Sequence, residues 1–358
     1  MQLRVPGPTP CPPQALEAQG KEMINHRGEE FRKLILDITW SLKQMFQTQD
    51  DVLILTASGT GGLEAAIVNT LSPGDKVLAL SIGAFGDRFS DIAHNFGAEV
   101  EKLDFEWGRA AHPEVVEKRL KDDSRIKAVM VTHNETSTGV TNDLEAISRV
   151  AKEYDKLLLV DAVSSLSCID LPVDLWGCDV VVTASQKGWM SPPGLAMVSI
   201  SERGWKAVSE AQMPRYYWDL SRARSFLEKG QTPWTPAIST LYALYSTLKL
   251  MEGEGLANII KRHVRVGDRA RMRIEELGLS LFPKEAYSNT VTAVNIPSDV
   301  DSRKLLTTMR RKYNIVLAGG QQRLSGKIFR IGHMGWVGEE DIDQIIVALK
   351  KALPESKR

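Results

Sequence analysis

Cysteine is scarce in this chain. Cys11, Cys168 and Cys178 are the only three in 358 residues, an odd number at no metal-ligand spacing. That argues against a disulfide framework and for a reducing compartment, so a cytoplasmic location is expected. An excess of charge is missing as well, since 45 Lys and Arg balance 45 Asp and Glu. Nothing in that balance favours nucleic acid or an anionic membrane as a partner. No apolar run approaches the ~18–20 residues of a membrane span. The opening MQLRVPGPTPCPP has no apolar stretch after a basic start, so it does not read as a secretory signal. Internal repeats and low-complexity segments are absent too.

What is present is the composition of a soluble globular protein, 43% hydrophobic and 25% charged, in a chain long enough for two domains. The Pro- and Gly-rich start reads as an arm over residues 1–20, either loose or laid across a partner subunit. A large domain is expected over 21–254. A smaller α+β domain follows over 255–358, where short strands alternate with helices. The closing ESKR reads as a frayed tail.

From Val52 to about Ile200 apolar strands alternate with helical segments, the pattern of a parallel sheet wrapped by helices. Strands are expected over 52–56, 76–81, 98–103, 126–132, 157–160 and 179–183. Polar or glycine-rich loops follow five of them, at 57–62, 83–86, 133–139, 161–165 and 185–188. The first, Ala57-Ser58-Gly59-Thr60-Gly61-Gly62, precedes a helix expected from Leu63. Glycines before a helix N-terminus suit an anion, and equally suit a plain tight turn. No Gly-Lys-Ser/Thr follows, so it is not a Walker loop.

Two residues at strand ends stand out. Asp161 ends the run LLLVD, and Lys187 follows the strand over 179–183 in Ser185-Gln186-Lys187-Gly188. Strand ends of an α/β sheet open onto one edge, where ligands bind. A lysine so placed is poorly explained as a solvated charge. A carbonyl cofactor held as a Schiff base explains it, with the acid pairing a ring nitrogen. Pyridoxal phosphate fits these needs. Lys187 would carry it, Asp161 would keep its ring nitrogen protonated, and 58–62 would cradle its phosphate. Phe85 and Val163 could cover its faces, although a lone aromatic is more often core. Arg330 could clamp a substrate carboxylate, or could be half of a surface ion pair.

Taken together, these residues resemble a known family. The chain is similar to class V, fold-type I pyridoxal-phosphate aminotransferases of the alanine–glyoxylate and serine–pyruvate group. The likeness runs through Pro6-Gly7-Pro8-Thr9-Pro10, Ser58 to Gly62 with Glu64-Ala65-Ala66, and Gly83 to Arg88. It continues through Thr132-His133 with Glu135 to Gly139, Val160-Asp161, Ser185-Gln186-Lys187, Thr235-Pro236 and Arg330-Ile331-Gly332. The resemblance implies a mainly parallel seven-stranded sheet with a small C-terminal domain. It implies that Lys187 holds the cofactor and shuttles the proton, and that Asp161 pairs the pyridine nitrogen. Thr60, Gly61, Gly62 and Gln186 would hold the phosphate, with Thr235 reaching in from the other subunit of a homodimer. Val163 would pack under the ring, Phe85 would stack where relatives often carry tryptophan, and Thr136 would lie near the ring oxygen. Arg330 would bind the α-carboxylate. Thr232 stands where animal relatives have tyrosine.

The implied reaction moves an amino group from a small L-amino acid, alanine or serine, to glyoxylate or pyruvate by a ping-pong mechanism. An ureidoglycine–glyoxylate or aspartate-using enzyme of the same fold is the alternative. A cysteine desulfurase would need a reactive Cys over the site in the C-terminal half, which has none. A nucleotide-binding module would leave Lys187 and Asp161 unexplained.

Overall fold

Strands that are apolar along their whole length, such as Leu157–Asp161 and Val180–Ala184, must have both faces covered. The structure, a computed structural model describing residues 1–358, covers them with helices. Seven strands form the central sheet: β1 (Asp51–Ala57), β2 (Lys76–Ser81), β3 (Glu99–Asp104), β4 (Ile126–Thr132), β5 (Leu157–Asp161), β6 (Val180–Ala184) and β7 (Gly194–Ile200). Their spatial order is β1-β7-β6-β5-β4-β2-β3.

Alternate residues of these strands feed opposite cores. Val129, Val131, Leu158, Val160 and Val181 join one cluster of 39 buried side chains. Ala128, Met130, Leu157, Leu159, Val180 and Val182 join a second of 27 on the other face. Each of the fully buried Val or Leu residues contributes about 1.5–3 kcal/mol by leaving water.

Strand β7 was not expected from the sequence. It pairs antiparallel with both β1 and β6. The residues between β6 and β7, 185–193, are too few for a crossover helix, so the chain can only turn back. Because β7 is antiparallel to both neighbours, β1 runs the same way as β6. The C-terminal ends of β1, β2, β4, β5 and β6 therefore share one edge. The strand order also reverses there: β3 lies on one side of β2, and β4 lies on the other. An open α/β sheet places its ligand crevice at such a reversal.

Beyond Gly255 the chain builds a separate three-stranded sheet, in the order β8 (Val291–Asn295), β10 (Ile328–Gly332), β9 (Ala318–Gly319). Helices Leu256–Glu276, Ser302–Lys312 and Glu339–Glu355 cover it, around a third core of 19 residues from Val266 to Ala352.

Both termini differ from expectation. Gln2–Leu3 pairs in parallel with Ile315–Val316 of its own chain. The arm then passes Gly332, whose N–H donates to the Arg4 carbonyl at 2.7 Å, while the Arg4 guanidinium pairs with Asp341. It ends on the lysine loop, with Thr9 N–H on the Gln186 carbonyl (3.0 Å) and Thr9 Oγ1 on that of Lys187 (2.9 Å). An extended segment needs partners for its backbone groups, and here one chain supplies them. The ESKR tail is docked as well: Ser356 is buried, and Arg358 N–H donates to the Asp299 carbonyl at 2.9 Å.

Candidate active site

Four of the five expected strand-end loops meet around a cavity of about 380 Å³, the loop 133–139 not being among them. Thr60, Phe85, Asp161, Val163, Gln186 and Lys187 line it, together with Gly7, Pro8, Ser58, Arg88 and Gln321. The fold brings these positions together from the arm, from the ends of β1, β2, β5 and β6, and from the turn after β9.

Lys187 sits in a turn held by its neighbours. Ser185 Oγ donates to the Pro192 carbonyl (2.6 Å) and accepts from Leu195 N–H (3.2 Å). Gly188 is packed so closely that a Cβ there would lie 2.5 Å from Cys168 Sγ and from Ser167 Oγ. The Lys187 ammonium makes no ion pair. It donates to the Pro6 carbonyl at 2.6 Å and lies 6.0 Å from the Phe85 ring centre. Burial lowers its pKa to about 8, the Asp161 charge partly offsetting this, with Arg330 and Arg88 lowering it further.

Asp161 is 4% exposed. One carboxylate oxygen accepts from Val163 N–H at 2.9 Å, and the other has only a long contact of 3.4 Å from Thr132 Oγ1. Burial raises its pKa to about 6, opposed by the Val163 hydrogen bond, then by Lys187 and Arg88. It therefore keeps acceptor capacity facing the cavity.

The glycine-rich stretch is largely helix. The helix Gly59–Thr70 begins four residues before the expected Leu63, so the glycines form its first turn. Ser58 offers no side-chain cap, and nothing in the chain accepts from the N–H groups of Gly59, Thr60 or Gly61. Unpaired donors and the helix dipole make that end a receptor for an anion. Gly62 differs from the expectation of a cradle, because its N–H already bonds the Ser58 carbonyl at 3.1 Å. Both Gly61 and Gly62 turn to packing: Cβ atoms there would lie 2.8 Å from Trp218 Cη2 and 2.7 Å from Val182 Cγ1.

Phe85 lies in the first turn of helix Ala84–Asn95. Buried Glu135 holds that turn by accepting from Phe85 N–H and Gly86 N–H, both at 3.0 Å. Its other oxygen accepts from Ser137 N–H (3.0 Å) and Ser137 Oγ (2.6 Å). Arg88 stacks over the Phe85 ring, 4.8 Å from its centre, and has no acid partner.

Thr136 is buried beside the cavity. Its Oγ1 donates to Ser164 Oγ at 2.8 Å, and its carbonyl accepts from Arg330 Nη1 at 2.9 Å. Arg330, on β10, is 5% exposed and in no ion pair, which disposes of the surface-pair alternative. Burial lowers its pKa to about 10, Glu135 acting in the opposite sense. Thr235 stands apart, exposed on the segment after Thr232 and outside this chain's cavity.

Gly7, Pro8, Arg88 and Gln321 were not singled out as site residues from the sequence. Arg88 ends a quoted stretch, and Gly7-Pro8 lies in the Pro-rich opening. Nothing near Gln321 marks it, since it reaches the cavity only through the folding of the small domain.

A chain that unites a buried lysine, a buried acid with a free oxygen, an anion-receiving helix end and an unpaired buried arginine has the groups to hold a phosphorylated aldehyde and a carboxylate. Comparison with known proteins agrees with that geometry. A protein of Anabaena cylindrica named soluble hydrogenase 42 kDa subunit is 44% identical over 99% of this chain and 94% of its own. The serine–glyoxylate aminotransferase of Arabidopsis thaliana is 36% identical, over 94% of this chain and 86% of its own. The crystal structure of alanine–glyoxylate aminotransferase from Nostoc sp. superposes with a TM-score of 0.94 at 32% identity, covering 98% of this chain and 94% of that one. The family described as aminotransferase class-V matches residues 13–343, and the chain belongs to it.

Proposed function

We propose that this aminotransferase uses pyridoxal 5'-phosphate to move the amino group of a small L-amino acid, alanine or serine, to glyoxylate or pyruvate. The observation that carries the reading is Lys187: a buried amine in no ion pair, in one cavity with Asp161 and the open end of helix Gly59–Thr70. The residues fit the cofactor. Asp161 has a carboxylate oxygen without a short partner, and the Gly59, Thr60 and Gly61 N–H groups are free for a phosphate.

When bound, the cofactor supplies an aldehyde that condenses with amines and a ring that accepts electrons. Asp161, ionised above a pKa of about 6, would hold the proton on the ring nitrogen. Phe85 and Val163 would flank the ring, and Thr136 would stand on the side of its oxygen. Arg330 orients the substrate carboxylate, which fixes the Cα–H bond relative to Lys187. Lys187 takes the Cα proton as a neutral amine, a state that its lowered pKa makes accessible near pH 8. The Lys187 Nζ would then carry that proton and give it back, and a second oxo acid would run the sequence in reverse.

The enzyme is read as a cytoplasmic homodimer with shared sites. Three free thiols support a reducing compartment. Exposed Thr235, beside a surface cluster in which Tyr217 stacks on Trp234 with ring centres 5.9 Å apart, supports a second subunit completing the phosphate site. The division at Gly255 into a large and a small domain belongs to the same reading.

The test is direct. Protein incubated with pyridoxal phosphate should absorb in the visible, and Lys187→Ala should lose that band. Alanine, serine and aspartate are then paired with glyoxylate, pyruvate and 2-oxoglutarate. A protein with no band and no transamination of any pair overturns the reading.

A further inference from the structure

We propose that Gln321 is a second carboxylate-recognition residue that shares the substrate carboxylate with Arg330, an inference resting on the aminotransferase reading above. The starting point is what Arg330 can still donate. Its Nε and Nη2 both bond the Gly319 carbonyl, at 3.0 and 2.8 Å. Its Nη1 bonds the Thr136 carbonyl at 2.9 Å. A guanidinium has five N–H donors, so these bonds leave one on Nη1 and one on Nη2. The one on Nη1 faces Gln321 Oε1 at 3.3 Å. Only the Nη2 hydrogen has no partner, and a two-pronged carboxylate fork needs two parallel donors.

Gln321 supplies the second. Arginine has no acceptor, so the amide oxygen of Gln321 must face it, and the amide nitrogen must face away. That nitrogen makes no hydrogen bond within the chain, and Gln321 lines the cavity that holds Lys187. Two donors of neighbouring groups, one charged and one neutral, are thus left unpartnered beside the lysine.

The fold holds Gln321 in place. It follows β9, whose Ala318 pairs with Arg330 itself. Gly320 N–H bonds the Ile328 carbonyl at 3.0 Å, and the Gln321 carbonyl accepts from Leu324 N–H at 2.9 Å. The backbone that presents Gln321 is therefore in register with the strand that presents Arg330. A residue that reads the carboxylate reads a group common to the amino donor and the oxo acid. It sets affinity for both and selects between neither.

The experiment uses the cofactor-loaded enzyme with Gln321→Met, which keeps the length and removes the donors, and Gln321→Leu as a second, shorter shape. KM and kcat are measured for an amino donor and for an oxo acid. Calorimetry gives the Kd of propionate, a carboxylate that cannot react, and the melting temperature and visible band report folding and loading. The expected result is a rise of about ten-fold or more in both KM values and in the propionate Kd, because hydrogen bonds to charged groups are the strong ones. The kcat should stay within about three-fold, since bound substrate is still aligned by Arg330. A merely structural role would lower kcat or melting temperature and leave the propionate Kd unmoved. KM values and Kd within two-fold of wild type in both variants overturn the proposal. If Arg330→Lys abolishes propionate binding while both Gln321 variants retain it, Gln321 is not involved and the aminotransferase reading stands. A wild-type enzyme that transaminates no pair overturns both.

Discussion

The Lys187 ammonium donates to the Pro6 carbonyl across 181 positions of chain, at 2.6 Å. One bond thereby ties the reactive amine to an arm that also pairs with the small domain. Gly7, at φ +130°, lets the arm lie against the lysine: a Cβ there would sit 2.6 Å from Lys187 Nζ and 2.7 Å from its Cδ and Cε. Gly7→Ala should therefore displace the lysine or the arm and add backbone strain of about 1–3 kcal/mol. Weaker cofactor retention, seen as a reduced visible band after dialysis, is expected along with a lower melting temperature. A variant matching wild type in both would show that the arm does not position Lys187.

The lysine should also react early on the pH scale. Only the neutral amine attacks an aldehyde, and burial puts the Lys187 pKa at about 8 instead of 10.5. The rate of cofactor uptake by the cofactor-free protein should rise through pH 8. The Asp161 charge holds that pKa up, so Asp161→Asn should move the midpoint lower. The stability consequence has a definite sign. Below pH 8 the buried ammonium costs stability, and the cost is relieved between pH 8 and 10.5, where the unfolded chain still binds the proton that the folded chain has shed. A Lys187→Met variant should lose that rise in denaturation midpoint.

Glu135 should matter although it does not line the cavity. Its carboxylate takes four hydrogen bonds, two of them from the turn that carries Phe85. Glu135→Gln turns an amide nitrogen toward two buried donors, a loss of roughly 2–6 kcal/mol at about 1–3 per unsatisfied group. A clear fall in denaturation midpoint and weaker cofactor binding are expected, the latter matched by Phe85→Ala without the same loss of stability. A stable Glu135→Gln protein with normal cofactor affinity would contradict the arrangement.

Shared sites predict complementation. Thr235→Asp places a negative charge where the partner's phosphate site is proposed, and Lys187→Ala removes the amine. Each variant alone should be inactive, or nearly so. After unfolding and refolding as a mixture, heterodimers should regain one intact site, with up to about a quarter of wild-type activity for random pairing. No recovery, with dimers present by sedimentation, would place Thr235 outside the site.

Much of this site was legible in the chain because its signals are local. Asp161 and Lys187 end apolar runs, and an apolar run flanked by small or polar residues marks a buried strand and its edge. Strands β2 and β4 fall where composition sets them. Local patterns misled where helix and loop are hard to separate. The stretches 57–62 and 83–86 read as loops, yet helices begin at Gly59 and Ala84, because glycine weakens a helical pattern even where packing requires it. Gly62 reads as part of a phosphate cradle, yet its N–H bonds the Ser58 carbonyl and its missing Cβ admits Val182.

The sequence by itself determined the sheet's alternating elements, the pairing of an acid with a lysine at one edge, and the family to which the chain belongs. Those follow from residue order and residue chemistry. Only the tertiary structure decided that β7 runs backwards, that the arm docks on its own chain, and that Gln321 stands beside Arg330. Each depends on contacts between residues far apart in the chain, such as Pro6 with Lys187 or Thr136 with Arg330. Such contacts are set by how whole layers pack, and no short stretch of sequence records them.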